Sequence, residues 1–497
     1  MKAFLNKISY GLFGLKQDDE LKPKEAFSYS IAGFGQNLIV GFVGGAYLTY
    51  FFINGLLISA YTVGLMMLFC RLFDAFTDPI MGSIVDRTRS KWGKCRPYLL
   101  VAPIPIALFT VLLFLPLDIK TIGEVGTVAT ATGIYVIWSV FYTIVDVPYW
   151  GLASSMTSDT HKRGNMLMVA RIFCTVGGGI IALVVPQLTS WLTRDFTDSS
   201  GEIIVGLEAS AAEAVRSGYI WIALVICVLA IPTFWIGFKN TKERFYSAEK
   251  PKSLRHNLGL VLKNKPLLLV VAVGVLGSAK MLYMSSAIFF CDYALRTTSF
   301  MGMSGPALFT LITFTAVPGG LLASVLTPWC TRKFGKKATY IASHLFGGAV
   351  LFIMFFIGWD APWKLFVALT GLIFVAIPMG FWNVLSYAMI ADSIDYLELK
   401  TGERGEGICF AMQTFINKVS MAVNAAVTCF GLAWAGIVAT NRETVTTQAI
   451  NTLWLISVLI PAISMALSAV PLFFYKFTEQ KQREAVEEVN ARKASNA

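Results

Sequence analysis

Stretches of twenty or more mainly apolar residues recur from one end of this 497-residue chain to the other, and they dictate what it folds into. A helix needs about 20 such residues to cross the hydrocarbon core of a bilayer, where no water satisfies exposed peptide groups. Twelve stretches meet that need, at approximately 28–53, 57–85, 97–117, 125–153, 165–192, 217–238, 266–293, 304–330, 338–358, 362–391, 407–436 and 447–475. Hydrophobic residues make up 56% of the chain and charged residues only 14%, with mean hydropathy +0.64. A water-soluble domain carries roughly 25% charged residues. The fold class expected is therefore an all-α integral membrane protein with twelve transmembrane helices.

The formal charge of +11 would by itself suit an anionic partner such as nucleic acid, but the basic residues follow the membrane. With the N-terminus inside, the cytoplasmic segments hold 31 Lys and Arg, whereas the outer loops hold only Lys120, Arg194, Arg216, Arg296, Lys364 and Arg442. That asymmetry predicts both termini in the cytoplasm and a lipid bilayer, not nucleic acid, as the large partner. The eight cysteines stand singly, mostly in apolar spans, and read as small buried hydrophobes rather than a disulfide or metal framework. The first 24 residues alternate lysines with Phe4, Leu5, Ile8, Leu12 and Phe13; they lack the continuous apolar core of a cleaved signal and suit an amphipathic segment on the inner surface.

The longest cytoplasmic connection carries eight basic residues and separates six spans from six. The expected organisation is an N-terminal segment (1–27), a six-helix half (28–238), a linker (239–265), a second six-helix half (266–475) and a cytoplasmic tail (476–497). Corresponding loops repeat a pattern, Lys-aromatic-Gly-Lys-x-x-x-Tyr, at Lys91–Tyr98 and Lys333–Tyr340. Matching loop number and side point to a duplication with two parallel halves.

Charged residues inside the spans mark where function would sit, because an acid at mid-bilayer costs roughly 2.5–3.5 kcal/mol. In Arg71-Leu-Phe-Asp74-Ala-Phe-Thr-Asp78-Pro79, the two aspartates are four apart and share a helix face, with Arg71 one turn before Asp74. That pattern suits a cation site. In the fourth span Thr143, Asp146 and Trp150 fall on one face; a carboxylate accepts hydroxyl protons of a polyol while an indole packs on its C–H side. Lys418 in the eleventh span has Asp74, Asp78 and Asp146 as candidate partners. These acids nearly balance the intramembrane bases Arg71, Arg171, Lys280 and Lys418, so one added Na⁺ or H⁺ changes the site's charge appreciably.

Taken in order, Asp74-Ala-Phe-Thr-Asp78-Pro79, Arg89–Pro97, Tyr142–Trp150, Ala391-Asp392-Ser-Ile-Asp395-Tyr396 and Gln413-Thr414 before Lys418 resemble the glycoside–pentoside–hexuronide:cation symporters, the melibiose-permease branch of the major facilitator superfamily. The match spans nearly the whole chain. It implies a major facilitator fold of two six-helix halves, with cation and sugar bound between them by alternating access in a bacterial cytoplasmic membrane. A functional monomer is expected, with no cofactor and no enzymatic activity, and with Na⁺ or H⁺ (Li⁺ also open) as coupling ion. By similarity, Asp74, Asp78 and Thr143 resemble the cation ligands, with Asp146 near enough to couple cation to sugar. Asp146, Trp150, Arg171 and Trp382 resemble sugar-site residues, Lys418 the lysine near the cation, and Asp392 and Asp395 acids of an inner charge network that also draws in Arg71.

Two positions depart from that pattern. Gly35-Gln36-Asn37 replaces a Lys-Asp of the melibiose permeases, which puts the amide of Asn37 where an acidic sugar ligand stands and removes the ground for α-galactoside specificity. Thr77 replaces an Asn, so the choice of cation stays open. Lys280, midway along the seventh span, matches no family motif; it is either a contact for an anionic substrate group such as a uronate or the partner of a buried acid. The alternative within transport is a lysolipid or lipid carrier of the same superfamily. The three histidines, at 161, 256 and 344, form no recognisable catalytic grouping with serine or cysteine.

Overall fold

The computed structural model describes the chain apart from residues 1–12, 14, 16–18, 45, 118, 158, 198–203, 205, 246–253, 296–304, 404, 438–444 and 496–497. Most of the N-terminal amphipathic segment, part of the connection between Arg194 and Arg216, part of the linker, and Arg296, Arg404 and Arg442 thus lie outside the described residues.

Among the described residues the regular structure is helical. Eight helices among the described residues are long and apolar enough to cross a membrane, or nine if His256–Lys263 and Lys265–Leu276, bent by 87° at their junction, form one broken span. Pro103–Leu113 and Leu308–Ala323 are shorter apolar helices. Part of the difference from twelve apolar stretches is physical, because several stretches are interrupted. The seventh runs as Lys265–Leu276, a 3₁₀ turn Ser278–Met281, and short helices Leu282–Ser285 and Ala287–Tyr293. The first, which still counts as one span over Pro23–Gly55, runs as Pro23–Val43, Ala46–Tyr50 and a π turn Phe51–Gly55. Ala60–Arg87, which carries the charged Arg71–Asp78 segment, has 28 residues and so is about 42 Å long, ample for a crossing.

Large apolar side chains face outward along these helices: Phe69, Val125, Trp221, Val325 and Phe366 are each at least 60% exposed. An exterior of this kind needs lipid, since a water-soluble monomer does not leave so many large apolar groups uncovered. Seven of the eight cysteines are buried and all are unpaired, as expected for small apolar fillers.

The chain divides into two compact units, one of Met1–Ile58, Phe76–Asp198 and Ile203–Pro251, the other of Ser59–Ala75, Ser199–Glu202 and Lys252–Ala497. The helix Ala60–Arg87 thus belongs by its first part to the second unit and by its remainder to the first.

Each unit contains the same local device at the repeated loop. In the first, Gly93 adopts φ +109°, a conformation open to glycine, and turns the chain so that the amides of Lys94, Cys95 and Arg96 donate to the carboxylate of Glu243 at 3.0, 2.9 and 2.8 Å. These amides open the helix Arg96–Val101, where first-turn N–H groups lack partners and favour an anion. Arg96 then donates through Nε and Nη2 to the carbonyl of Phe238 at 3.2 and 2.7 Å, closing off the end of Glu208–Asn240. In the second unit Gly335 has φ +82°, the amide of Lys336 donates to Glu479 at 2.6 Å, and Lys337 Nζ donates to the carbonyls of Phe473 and Tyr475. The repeated sequence pattern therefore has a repeated structural use, an acid that follows an apolar helix (Glu243 after Glu208–Asn240, Glu479 after Ile460–Phe473) and receives the turn.

In the first unit, Glu25 accepts from Arg244 Nη2 at 2.8 and 3.0 Å, while the amides of Arg244 and Phe245 bond the carbonyl of Ser155. Pro23–Val43 also approaches Thr160–Thr193 closely, because a Cβ on Gly177 would meet the carbonyl oxygen of Phe34 at 2.6 Å. These contacts hold in place the helices that carry the polar residues described next.

Candidate functional site

In the first unit the polar residues gather on Ile119–Met156. Asp146 Oδ1 accepts from Trp150 Nε1 at 3.0 Å, from the hydroxyl of Tyr142 at 3.4 Å and from Gln36 Nε2. Trp150 lies four residues after Asp146, one turn along the same face, so the helix itself sets this pair. Arg171, from Thr160–Thr193, places its guanidinium carbon 4.3 Å from the centre of the Trp150 ring. The ring edge of Tyr149 meets Trp150 at 4.9 Å, and Tyr149 stacks on Tyr29 at 4.6 Å. The result is a carboxylate, an indole and a guanidinium in contact sequence, with the indole N–H directed at the acid. Hydroxyl acceptor, apolar stacking face and fork-shaped donor are the chemistries a sugar ring requires.

One turn earlier on the same helix, Thr143 Oγ1 donates to Asp78 Oδ1 at 3.2 Å and lies 3.0 Å from Thr77 Oγ1. Thr143 is 2% exposed. Asp78, Thr77 and Thr143 thus form an all-oxygen set, the donor type that hard monovalent cations prefer. Asp146 is three residues from Thr143, so the oxygen set and the Asp146–Trp150 pair each have a member on Ile119–Met156.

The first span contributes differently from the sequence expectation. Asn37 Nδ2 donates to the carbonyl of Gly33 at 3.1 Å, bonding back to its own helix, and the neighbouring Gln36, 2% exposed, reaches Asp146 and Tyr142. Both amides stand in the Gly35-Gln36-Asn37 triplet, and side chains one residue apart on a helix point about 100° apart. Only the packing of Pro23–Val43 decides which one faces the fourth span, so Gln36 was missed.

In the second unit, Lys418 Nζ donates to the main-chain carbonyl of Asp74 at 2.7 Å, so lysine and aspartate are neighbours through the backbone of Ala60–Arg87. Arg71 and Asp74 are 5% and 8% exposed. Lys280 is 4% exposed, and its Nζ lies 3.9 Å from the centre of the Trp382 ring. Trp382 in turn meets Tyr340 edge-on at 5.5 Å. No carboxylate pairs with Lys280 among the described residues. Asp392 pairs with Lys336 Nζ at 2.5 Å and Asp395 accepts from Gln482 at 2.7 Å, so both acids have partners within their own unit.

The structure thus brings together Asp78 with Thr143, Asp146 with Trp150 and Arg171, Asp74 with Lys418, and Lys280 with Trp382.

A family model described as MFS/sugar transport protein matches residues 28–479. Among curated proteins, an isoprimeverose transporter of Lactiplantibacillus pentosus is 30% identical over 463 residues, covering 91% of this chain and 88% of that protein. A glucuronide carrier protein homolog of Escherichia coli (strain K12) is 27% identical over 479 residues, covering 96% and 97%. Among solved structures, the nucleoside transporter NupG aligns with TM-score 0.60 at 14% identity over 91% of this chain and 100% of that chain, and the E. coli fucose:proton symporter with TM-score 0.53 at 13% identity over 91% and 97%. At such low identity these two establish the fold alone, the helical architecture of the major facilitator transporters. With the family match running through nearly every helix, the chain is a multi-pass membrane transporter that belongs to the MFS/sugar transport protein family, among the glycoside–pentoside–hexuronide:cation symporters.

Proposed function

We propose that this protein carries a sugar or glycoside into the cell by symport with a monovalent cation, Na⁺ or H⁺, with Li⁺ as a further candidate. The observation that carries the reading is the spacing on Ile119–Met156: Thr143 bonds Asp78, and Asp146, three residues on, bonds Trp150. A cation drawn to Asp78 and Thr143 acts on the helix that presents Asp146 and Trp150. Asp74, expected from the sequence as a second cation ligand, stands one turn before Asp78 on the same helix. The names of the relatives, an isoprimeverose transporter and a glucuronide carrier homolog, support a sugar as cargo.

Coupling follows from linkage. If a bound cation favours the arrangement that binds sugar, the sugar must strengthen cation binding by the same factor, typically 5–150-fold. The protein works as a monomer in a bacterial cytoplasmic membrane with both termini inside, consistent with the excess of basic residues in the inner loops.

The test is uptake into proteoliposomes holding the purified chain, with β-glucosides, xylosides, α-galactosides and glucuronides offered under an inward Na⁺ or H⁺ gradient. Accumulation of a sugar that collapses when the gradient is dissipated supports the reading. Uptake of lysolipid with no uptake of any sugar would overturn it.

A further inference from the structure

Lys280 is an intramembrane cation that the proposed sugar and cation ligands leave unused. It sits in the 3₁₀ turn Ser278–Met281, where the seventh apolar stretch departs from α-helix. Irregular backbone at membrane depth occurs where it is buried in protein or lines a cavity for a polar ligand, and the freed polar groups must find partners. Here Asn424 Nδ2 donates to the carbonyl of Ser278 at 2.9 Å. The Lys280 ammonium has no hydrogen-bond partner among the described residues and rests on the face of Trp382. A buried ammonium is costly without an opposing charge, and a ring face offsets only part of that cost. The sequence left two readings of Lys280; the absence of a pairing carboxylate among the described residues favours the one in which the ligand brings the negative charge.

A second polar group stands beside it. His344 is fully buried and stacks on Tyr340 at 3.7 Å, and Tyr340 packs edge-on against Trp382. His344 Nδ1 lies 3.2 Å from the carbonyl of Tyr340, which fixes the proton on Nδ1 and makes Nε2 an acceptor. His344 Nε2 has no partner among the described residues, and His344 lies within electrostatic reach of Lys280. An ammonium, an indole face and an imidazole acceptor therefore occupy one cluster in the second unit. They match an anionic oxygen group, a ring C–H face and a hydroxyl.

We infer that the transported sugar bears an anionic group, a carboxylate or a sulfonate, held by Lys280 Nζ against Trp382 while His344 Nε2 accepts a hydroxyl. This deepens the sugar-transport reading and rests on it. A charge-assisted hydrogen bond of this kind corresponds to about 10- to 100-fold in affinity.

The experiment compares proteoliposome uptake of methyl β-D-glucuronide, a 6-sulfo glucoside and methyl β-D-glucoside, three probes that differ only in the group at one ring position. The wild-type chain is expected to take at least one anionic probe about tenfold or more better than the neutral one. Lys280→Gln lowers that anionic-to-neutral ratio about 10- to 100-fold, while Lys280→Arg keeps it within several-fold of wild type. The ratio is read within each variant, so a fall in folded protein does not mimic the effect. Thermal unfolding in detergent supplies a second readout: the preferred anionic probe raises the melting temperature of wild type and Lys280→Arg but not of Lys280→Gln. An unchanged ratio in Lys280→Gln, or wild-type uptake of the neutral glucoside in preference to both anionic probes, overturns the inference and leaves sugar transport standing. Uptake of no sugar of either charge overturns both.

Discussion

The contact between Trp150 Nε1 and Asp146 Oδ1, 3.0 Å long, is open to direct thermodynamic measurement. Trp150→Phe keeps an aromatic face under Arg171 but deletes the N–H, and Asp146→Asn keeps the shape of the acid while deleting its charge. Asp146 also accepts from Tyr142 and Gln36, so it remains held after the first change, and the loss is that of one charge-assisted hydrogen bond, about 1.5–3 kcal/mol. Phe is also a weaker partner for the guanidinium than Trp, which adds about 0.5 kcal/mol. These contacts are made before sugar binds, so their loss lowers sugar affinity as far as it disorders the binding arrangement, by up to about 30- to 300-fold in Trp150→Phe. Asp146→Asn should lose at least as much, because the acid also serves the sugar hydroxyls. If the two side chains bind sugar as one unit, the double variant is less impaired than the sum of the singles, with an interaction energy of about 1–2 kcal/mol. Isothermal titration of the purified protein with its transported sugar, at saturating cation, gives all four affinities. Additive losses within about 0.3–0.5 kcal/mol would refute the claim that the pair acts together.

The glycine turns give a paired stability test: a Cβ on Gly93 would meet the Glu243 carboxylate at 2.4 Å, whereas one on Gly335 would stand 3.3 Å from Glu479. Gly93→Ala should thus lower thermal stability in detergent more than Gly335→Ala, although the positive φ penalises both by about 1 kcal/mol or more; equal losses would discount the role of Glu243. Thr143→Val removes a donor to Asp78 and an oxygen from the proposed ion site, so cation affinity should drop about tenfold, while sugar affinity measured without the cation changes less than threefold. Gln36→Leu leaves the Asp146 carboxylate one donor short and should weaken sugar binding, whereas Asn37→Leu, which removes only a bond to its own helix, should have the smaller effect in the same titration.

Much of this was legible in the residues because a bilayer writes its demands plainly. Peptide groups in lipid must bond within a helix, so spans appear as long apolar runs. Asp146 and Trp150 could be paired from spacing because a single helix turn connects them. What escaped notice depends on contacts far apart in sequence. Glu243 and Glu479 looked like charges in polar segments, yet each receives a loop more than 140 residues before it. Choosing between Gln36 and Asn37 needs the rotation of Pro23–Val43 about its axis, which an almost uniformly apolar helix does not reveal. The 3₁₀ turn at Lys280 was also hidden, since Gly277 before it reads equally well as a packing residue in a continuous helix.

Central to the account is that cation and sugar bind to one coupled site built on Ile119–Met156. The direct measurement is a linkage experiment: sugar affinity with and without saturating Na⁺, Li⁺ or lowered pH, and cation affinity with and without saturating sugar, in wild type and Asp78→Cys. The account predicts that one cation raises sugar affinity about 5–150-fold, that the sugar raises that cation's affinity by the same factor, and that Asp78→Cys still binds sugar but no longer responds to the cation. Sugar binding in Asp78→Cys that responds to the cation as wild type does, or affinities in wild type that are independent of each other, would contradict it.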